Sequence, residues 1–435
     1  LPGSHFSSFD VCYEKNLQFS EDPLPVFHSL QKKYSSGLVT VPTVGAGTVN
    51  TEFEILTGMR QHDFGVSEYP YKTVLKSKTS ESICTDLKKL GYSTHAVHNN
   101  EATFYGRNTV FSNIGFDTFC SMEYMNGLTD SPNGWSNDDV LSREIMKTLD
   151  STSGPDFTMA ITVQSHGKYD GIVLDDPTIK VTGAPEGKEQ AYEYYVNEIH
   201  EVDRMIDTLI KELSNRKEET VLVLYGDHLP SLDIQKDDLS NANLYQTQYV
   251  IWDNMNLKKK TKNLHAYQLY AEVLDRIQIH EGMITKYHQQ TKHRSKLYLK
   301  GLTTLSYDLL YGDNYAYGGE NPFKQTELQM GTEPVKLTSV QKTKSGYRVV
   351  GSGFTPYCKV YYDGTLVESE WISSECLQLQ DEFELDEADK KDSGEPETEV
   401  TEPRDVPNAF VVEVQSDDGV VLSSTQAYPA SQVKK

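Results

Sequence analysis

An acid and an imidazole stand side by side at the end of Val221-Leu222-Val223-Leu224-Tyr225-Gly226-Asp227-His228. The four apolar residues, two of them β-branched, read as a buried parallel strand, and the glycine lets the backbone turn just beyond Tyr225. Open α/β sheets keep their chemistry at the carboxyl ends of strands. There Asp227 and His228 can offer an oxygen and a nitrogen to one divalent cation. A second segment supplies a nucleophile. The chain from Val41 to Phe53 passes from an extended run through Gly45-Ala46-Gly47 into a helical pattern whose apolar side carries Phe53, Ile55 and Leu56. Asn50 or Thr51 is expected to cap that helix. Thr48 then sits beside a helix N-terminus, where free N–H groups and the dipole favour an anion. Coordinated to a divalent cation, its hydroxyl can lose its proton near neutral pH and attack phosphorus or sulfur. Each segment alone has a plainer explanation: a loop acid beside a surface histidine, and a turn threonine that only caps.

Taken in this order, the segments resemble the alkaline-phosphatase/sulfatase superfamily and, more narrowly, the lipoteichoic acid synthase family. Gly45 to Phe53 resembles that family's nucleophile turn, and Tyr225-Gly226-Asp227-His228 its metal-binding tetrapeptide. Between them, His98 to Arg107, with Tyr105 as the aromatic, resembles its glycerol-phosphate pocket, and Thr162-Val163-Gln164-Ser165-His166 the strand that ends in a second pocket histidine. The resemblance implies a phosphoglycerol transferase at the outer face of a Gram-positive-type membrane. Its threonine takes glycerol phosphate from phosphatidylglycerol, and a growing glycerol-phosphate polymer accepts it. Thr48 would be the nucleophile. Thr48, Asp227 and His228 would hold one divalent metal, Mn²⁺ ahead of Mg²⁺ or Zn²⁺, and His98, Tyr105, Arg107 and His166 would bind the substrate head. A phosphodiesterase, a sulfatase-type ester hydrolase and a non-catalytic surface module with this fold are the competing readings. None of the five cysteines lies in Cys-x-Pro-x-Arg, so an unmodified threonine favours phosphodiester chemistry. One departure stands out. The family's metal site takes a carboxylate, usually Glu, from the end of the first strand, and residues 1–40 contain no apolar strand leading into an acid. A neighbouring strand should therefore show an unpaired edge or apolar face beside the site.

The elements that must position these residues alternate. Ser80 to Leu90 reads as a helix and Ser93 to Val97 as the strand leading to His98. Phe157 to Val163 is a strand leading to His166, and Lys188 to Leu213 a long amphipathic helix feeding the Val221 strand. Tyr245 to Trp252 reads as a strand, His265 to Ile277 as a helix, and His280-Glu281-Gly282 as a helix cap rather than a metal motif. Such alternation means a mostly parallel sheet covered by helices. The expected catalytic domain spans residues 1–333. From about Val335 short runs parted by glycine turns, with Asp363-Gly364 as a hairpin signal, read as a small immunoglobulin-like β-sandwich over 334–435. An acidic insertion at about 379–406 interrupts it; from Asp381 to Asp405 twelve acids face three bases. That run is a solvated loop.

Composition sets the remaining bounds. The 435 residues can bury a large core. No run of about 18 apolar residues could span a bilayer, and Leu1-Pro2-Gly3-Ser4-His5 begins no signal peptide. The membrane is therefore expected to be reached through transmembrane helices outside this chain. A net charge of −23 argues against nucleic acid as a partner and against binding an anionic membrane by bulk attraction. It also requires that a bound phosphodiester meet local positive charge, from the metal, Arg107 and the histidines. The scattered, odd-numbered cysteines point away from a disulfide framework.

Overall fold

The computed structural model describes residues 17–65, 67–380, 383–385 and 403–434, with short strands at 5–6 and 11–12. Most of the acidic insertion lies outside the described residues.

The elements follow the hydrophobic periodicity. Helix α1 (Pro25–Lys33) precedes strand β1 (Ser35–Thr40) and helix α2 (Thr48–Thr57). Helix α3 (Ile83–Lys88), strand β2 (Ser93–His98), helix α4 (Arg107–Asn113) and strand β3 (Thr118–Ser121) come next. Helix α5 (Val140–Asp150), strand β4 (Asp156–Ile161), helix α6 (Glu189–Asn215) and strands β5 (Val221–Tyr225) and β6 (Gln246–Asp253) continue the alternation. Helices α7 (Ala266–Arg276), α8 (Met283–Gln290) and α9 (Lys296–Leu310) complete the helical layers. Helix α6 buries Val196, Ile199, Val202, Ile206, Leu209 and Leu213, the stripe its 3.6-residue spacing implies. Helix α2 differs from expectation at its start. Gly47, not Asn50 or Thr51, is the N-cap, so Thr48 opens the helix itself. Gly282 is likewise the N-cap residue of α8.

The central sheet comes in two halves. One is wholly parallel, with β3, β2 and β4 side by side. In the other, β6 lies between β1 and β5 and runs antiparallel to both. Alternate residues of β2 feed opposite cores: Val97 packs with helices α1, α5 and α6, and Ala96 with α2, α3, α4 and α7. Helices therefore cover both faces of a mostly parallel sheet.

The halves do not join. Among the described residues β4 pairs only with β2, and β5 only with β6. Their free edges line one cavity of about 680 Å³ that runs the length of both strands. Leu141, Ile145, Val202, Ile206 and Leu209 wall it on one side, and Ile83, Leu87, Leu269 and Val273 on the other. All five residues of β5 are only half-buried, and Ala160 of β4 is exposed to the gap. Unpaired strand edges inside a core are rare, because each buried N–H and C=O needs a partner. The slot is thus the expected free edge beside the site. At one end it opens on Thr48, Asp227 and His228.

From Lys336 onward the chain is antiparallel all-β. One sheet holds 336–343, 346–352, 376–379 and 369–373; the other holds 365–367, 358–362, 409–415 and 421–424. Both contribute to one core containing Val340, Val349, Phe354, Val360, Leu377, Phe410 and Val412. Asp363-Gly364 makes the two-residue hairpin, with Tyr362 opposite Thr365 and positive φ at both turn residues. Thr355 Oγ1 donates to the Glu123 carbonyl at 2.6 Å, and Asn126 Nδ2 to the Phe354 carbonyl at 3.0 Å, fastening this region to the segment after β3. Among the described residues, Cys84, Cys120, Cys358 and Cys376 are free thiols.

Candidate functional site

Local backbone chemistry presents Thr48. Gly47 has φ 96°, and a Cβ there would lie 2.8 Å from Thr43 Oγ1, so only glycine fits this turn. Two hydrogen bonds tie the turn to the loop after β5. The Gly45 N–H donates to the Leu229 carbonyl at 3.0 Å, and Thr51 Oγ1 donates to the Asp227 carbonyl at 2.7 Å. As a result Thr48 Oγ1 lies 3.4 Å from His228 Nε2, which in turn is 3.3 Å from Asp227 Oδ2.

The donor set suits a divalent cation, as far as it goes. His228 Nδ1 lies 2.7 Å from the Leu229 carbonyl, which can only accept, so that nitrogen carries the proton and Nε2 keeps its lone pair. Metal-binding histidines are commonly oriented by such a bond. A hydroxyl, a carboxylate and an imidazole nitrogen thus share one small space. Among the described residues no three His, Cys, Asp or Glu side chains gather to hold a metal. The set is one donor short of the usual four, on the side where the slot opens.

Histidines stand on the other wall. His98 ends β2, 2% exposed, and its Nδ1 donates to the Ile161 carbonyl at 2.9 Å. Burial and then the nearby Arg107 charge hold its imidazole well below the usual histidine range, so it stays neutral with Nε2 as an acceptor. His166 lies beyond β4, donates from Nδ1 to the Gly167 carbonyl at 2.7 Å, and lines the same cavity as Thr48. Tyr105 holds a left-handed backbone (φ 60°) that turns its ring to the lip. There it stacks on Tyr69 at 6.1 Å, with Lys72 over both rings.

Arg107 corrects the sequence reading. Its fork is not open to a phosphate. Nη2 and Nε meet the Glu52 carboxylate at 2.6 and 3.2 Å, and Nη1 turns to the Phe104 carbonyl at 3.4 Å. The guanidinium is 1% exposed. Burial disfavours its charge, but Glu52 outweighs that and the pKa rises. Arg107 braces the Tyr105 turn against the nucleophile helix and sends positive charge toward His98.

Three further residues escaped the sequence reading. Glu52 lies one helical turn beyond Thr48 and lines the cavity; that spacing was the available signal. Trp135 sets its ring edge-on to His166 at 4.8 Å and donates Nε1–H to the Gly167 carbonyl at 2.9 Å. Asp138 is fully buried and links both histidine strands. It accepts from Asn99 Nδ2 at 2.8 Å and from the Val163 and Gln164 N–H groups at 2.9 and 3.1 Å. Burial pushes its carboxyl up to about 6. Nothing local marks Trp135 or Asp138, which sit in a polar loop.

Residues 7–297 match the sulfatase family. The chain belongs to the sulfatase family. Among its relatives is a Rhizobium meliloti protein named for cyclic β-1,2-glucan modification, 30% identical over 58% of this chain and 41% of that protein. Lipoteichoic acid synthase 2 of Bacillus subtilis is 24% identical over 45% of this chain and 30% of its own length. The sulfatase-family chain thus spans less than half of either relative. In fold it resembles the Streptococcus pyogenes phosphoglycerol transferase GacH, solved with sn-glycerol-1-phosphate. The TM-score is 0.60 and the identity 22%, over 72% of this chain and 85% of that one. That likeness shows a shared fold.

Proposed function

We propose that this chain is the catalytic part of a phosphoglycerol transferase acting on phosphatidylglycerol through a Thr48 phospho-enzyme. The observation that carries this reading is the Thr48 hydroxyl 3.4 Å from His228 Nε2, in one cavity with Asp227 and His166. Thr48 Oγ attacks phosphorus, the bond to the diacylglycerol oxygen breaks, and the proton the threonine gives up to water is matched by one the leaving oxygen takes from water beside His166. An acceptor hydroxyl then displaces Thr48 and the threonine recovers its proton. Neutral His98 accepts a hydrogen bond from a glycerol hydroxyl, and Tyr105 and Trp135 shape the pocket walls. A divalent ion held by Thr48, Asp227 and His228 would supply the charge that lowers the hydroxyl's pKa, and Mn²⁺ is the ion we favour. The slot supports the further expectation that an apolar strand ending in a carboxylate completes the site from outside the 435 residues.

The polymer acceptor is that of a lipoteichoic-acid-type pathway at the outer face of a Gram-positive-type cell membrane. The Rhizobium relative, named for glucan modification, favours a second reading of the acceptor only: a glycan hydroxyl in place of the polymer end. A longer version of the protein, incubated with fluorescent phosphatidylglycerol and Mn²⁺, should release diacylglycerol and trap phosphoglycerol on Thr48. Dependence on added polymer or glucan identifies the acceptor, and release with neither indicates hydrolysis. If Thr48→Ala releases diacylglycerol as fast as the parent, the threonine mechanism is wrong.

A further inference from the structure

Helix α9 buries Tyr298, Leu302, Leu309 and Leu310 against the domain. Leu297, 70% exposed, and Tyr307, 64%, lie on a side left to solvent, followed by Tyr311 at 50% and Tyr315 at 76%; Leu299, 43% exposed, is two residues from Leu297 and lies on a different face. Among the described residues fourteen large apolar side chains are exposed, and these five fall within nineteen consecutive positions. Concentration of that kind marks an interaction surface, unlike scattered single residues.

The charge around it runs against the rest of the chain. From Lys286 to Lys300 there are five Lys or Arg and no acid, in a protein of net charge −23. No ion pair engages Lys292, Arg294, Lys296 or Lys300 among the described residues, and all four are exposed. Asp308, the acid within α9, is committed to the Tyr315 and Ala316 N–H groups at 3.0 and 2.9 Å. Exposed leucines, a row of tyrosines and unpaired basic side chains suit the boundary of an anionic bilayer. There tyrosine rings sit at headgroup level and lysine stems lie along apolar surface.

We infer that the exposed face of α9, with Tyr311 and Tyr315, seats this domain on an anionic lipid surface. The seat is coupled to the site. Thr303 Oγ1 donates to Asp63 Oδ2 at 3.0 Å, Tyr311 packs on Phe64 at 6.2 Å, and Phe64 meets Phe53 edge-on at 5.3 Å. Phe53 belongs to the nucleophile helix, about 8 Å along its axis from Thr48, and the same loop continues to Tyr69 at the lip. The exposed face of α9 is thus linked through these ring contacts to the nucleophile helix. This inference is independent of the phosphoglycerol reading, because it rests on exposed apolar area and charge alone.

The test is flotation of the 435-residue chain with vesicles of phosphatidylcholine alone or mixed with phosphatidylglycerol. Binding should require phosphatidylglycerol and fade with salt. The doubles Leu297→Ser/Leu299→Ser and Lys296→Glu/Lys300→Glu should each weaken it on the order of tenfold, with melting temperatures unchanged because the positions are exposed. Thr48→Ala should bind as the parent does, which separates this result from any failure of the catalytic proposal. Absence of binding, or binding indifferent to both doubles, would overturn the inference. So would a dimer in solution that Leu297→Ser/Leu299→Ser converts to monomer without any vesicle binding, since α9 would then be a contact between copies.

Discussion

Glu52 holds both Nε and Nη2 of Arg107, at 3.2 and 2.6 Å, and each residue is 1% exposed. One end of this bidentate pair stands one turn from the nucleophile, and the other anchors the turn that presents Tyr105. A charge-assisted fork of this kind fixes direction as well as distance.

From sequence alone, Arg107→Ala should cost activity far more than it costs folding; the buried pair makes the cost to folding large. Removing the guanidinium leaves the Glu52 carboxylate uncompensated in the interior, which costs about 3–5 kcal/mol. Urea denaturation should show that loss directly. Adding Glu52→Gln to Arg107→Ala should recover part of it, and a double no better than the single would show that the pair is not the cause.

Asp138 accepts backbone N–H groups from one histidine strand and an amide from the other. Asp138→Asn turns a donor toward Val163 or Gln164 and should cost about 1–3 kcal/mol. Because His98 and His166 are both positioned through it, kcat in the diacylglycerol-release assay should fall more than stability explains. Parent kcat at a temperature where the variant is fully folded would contradict that positioning role.

Burial pushes the Glu54 carboxyl up to about 8, partly opposed by the Gln61 N–H bond and Arg60. Asp86, 0% exposed, is also raised by burial and by neighbouring Glu81. Both bind protons more tightly folded than unfolded. Their contribution is complete below the unfolded carboxylate value and is lost as pH rises from there through about 8. Thermal midpoints of the metal-free protein should therefore be higher at mildly acid pH than above pH 8. Glu54→Gln should flatten that slope. A slope of opposite sign would mean that these acids are ionised in the folded state.

The open edges of β4 and β5 make a structural prediction separate from activity. Amides of Val221–Tyr225 that point into the slot should exchange quickly in this chain, and slow markedly in a longer chain whose added strand fills it. Mn²⁺ should bind the 435-residue chain weakly and the longer one tightly, since an anionic ligand is gained. Poor turnover by the short chain should follow. Full metal-dependent turnover by these 435 residues would show that one of their own side chains supplies the fourth ligand.

Helix α6 was legible because its 3.6-residue period runs long enough to bury one side, and strands β2, β4 and β5 because each is a short β-rich run, although β5 is half-buried and pairs antiparallel rather than as the buried parallel strand expected. That Asp227, His98 and His166 come at or just beyond strand ends was legible for the same reason. The helix start was misplaced by three residues. A capping side chain is a local signal, whereas Gly47 caps through a left-handed backbone that its contact with Thr43 requires.

Sequence alone determined the alternation of elements and the order of the motifs, since these depend on neighbours along the chain. Tertiary structure decided what depends on neighbours across it. It gave Arg107 to Glu52, joined the two histidine strands through Asp138, and fixed the tautomers of His98, His166 and His228 by carbonyls. It also left a strand-wide slot between β4 and β5. Such pairings form where separated segments meet, and no local pattern encodes which buried charge will find which partner.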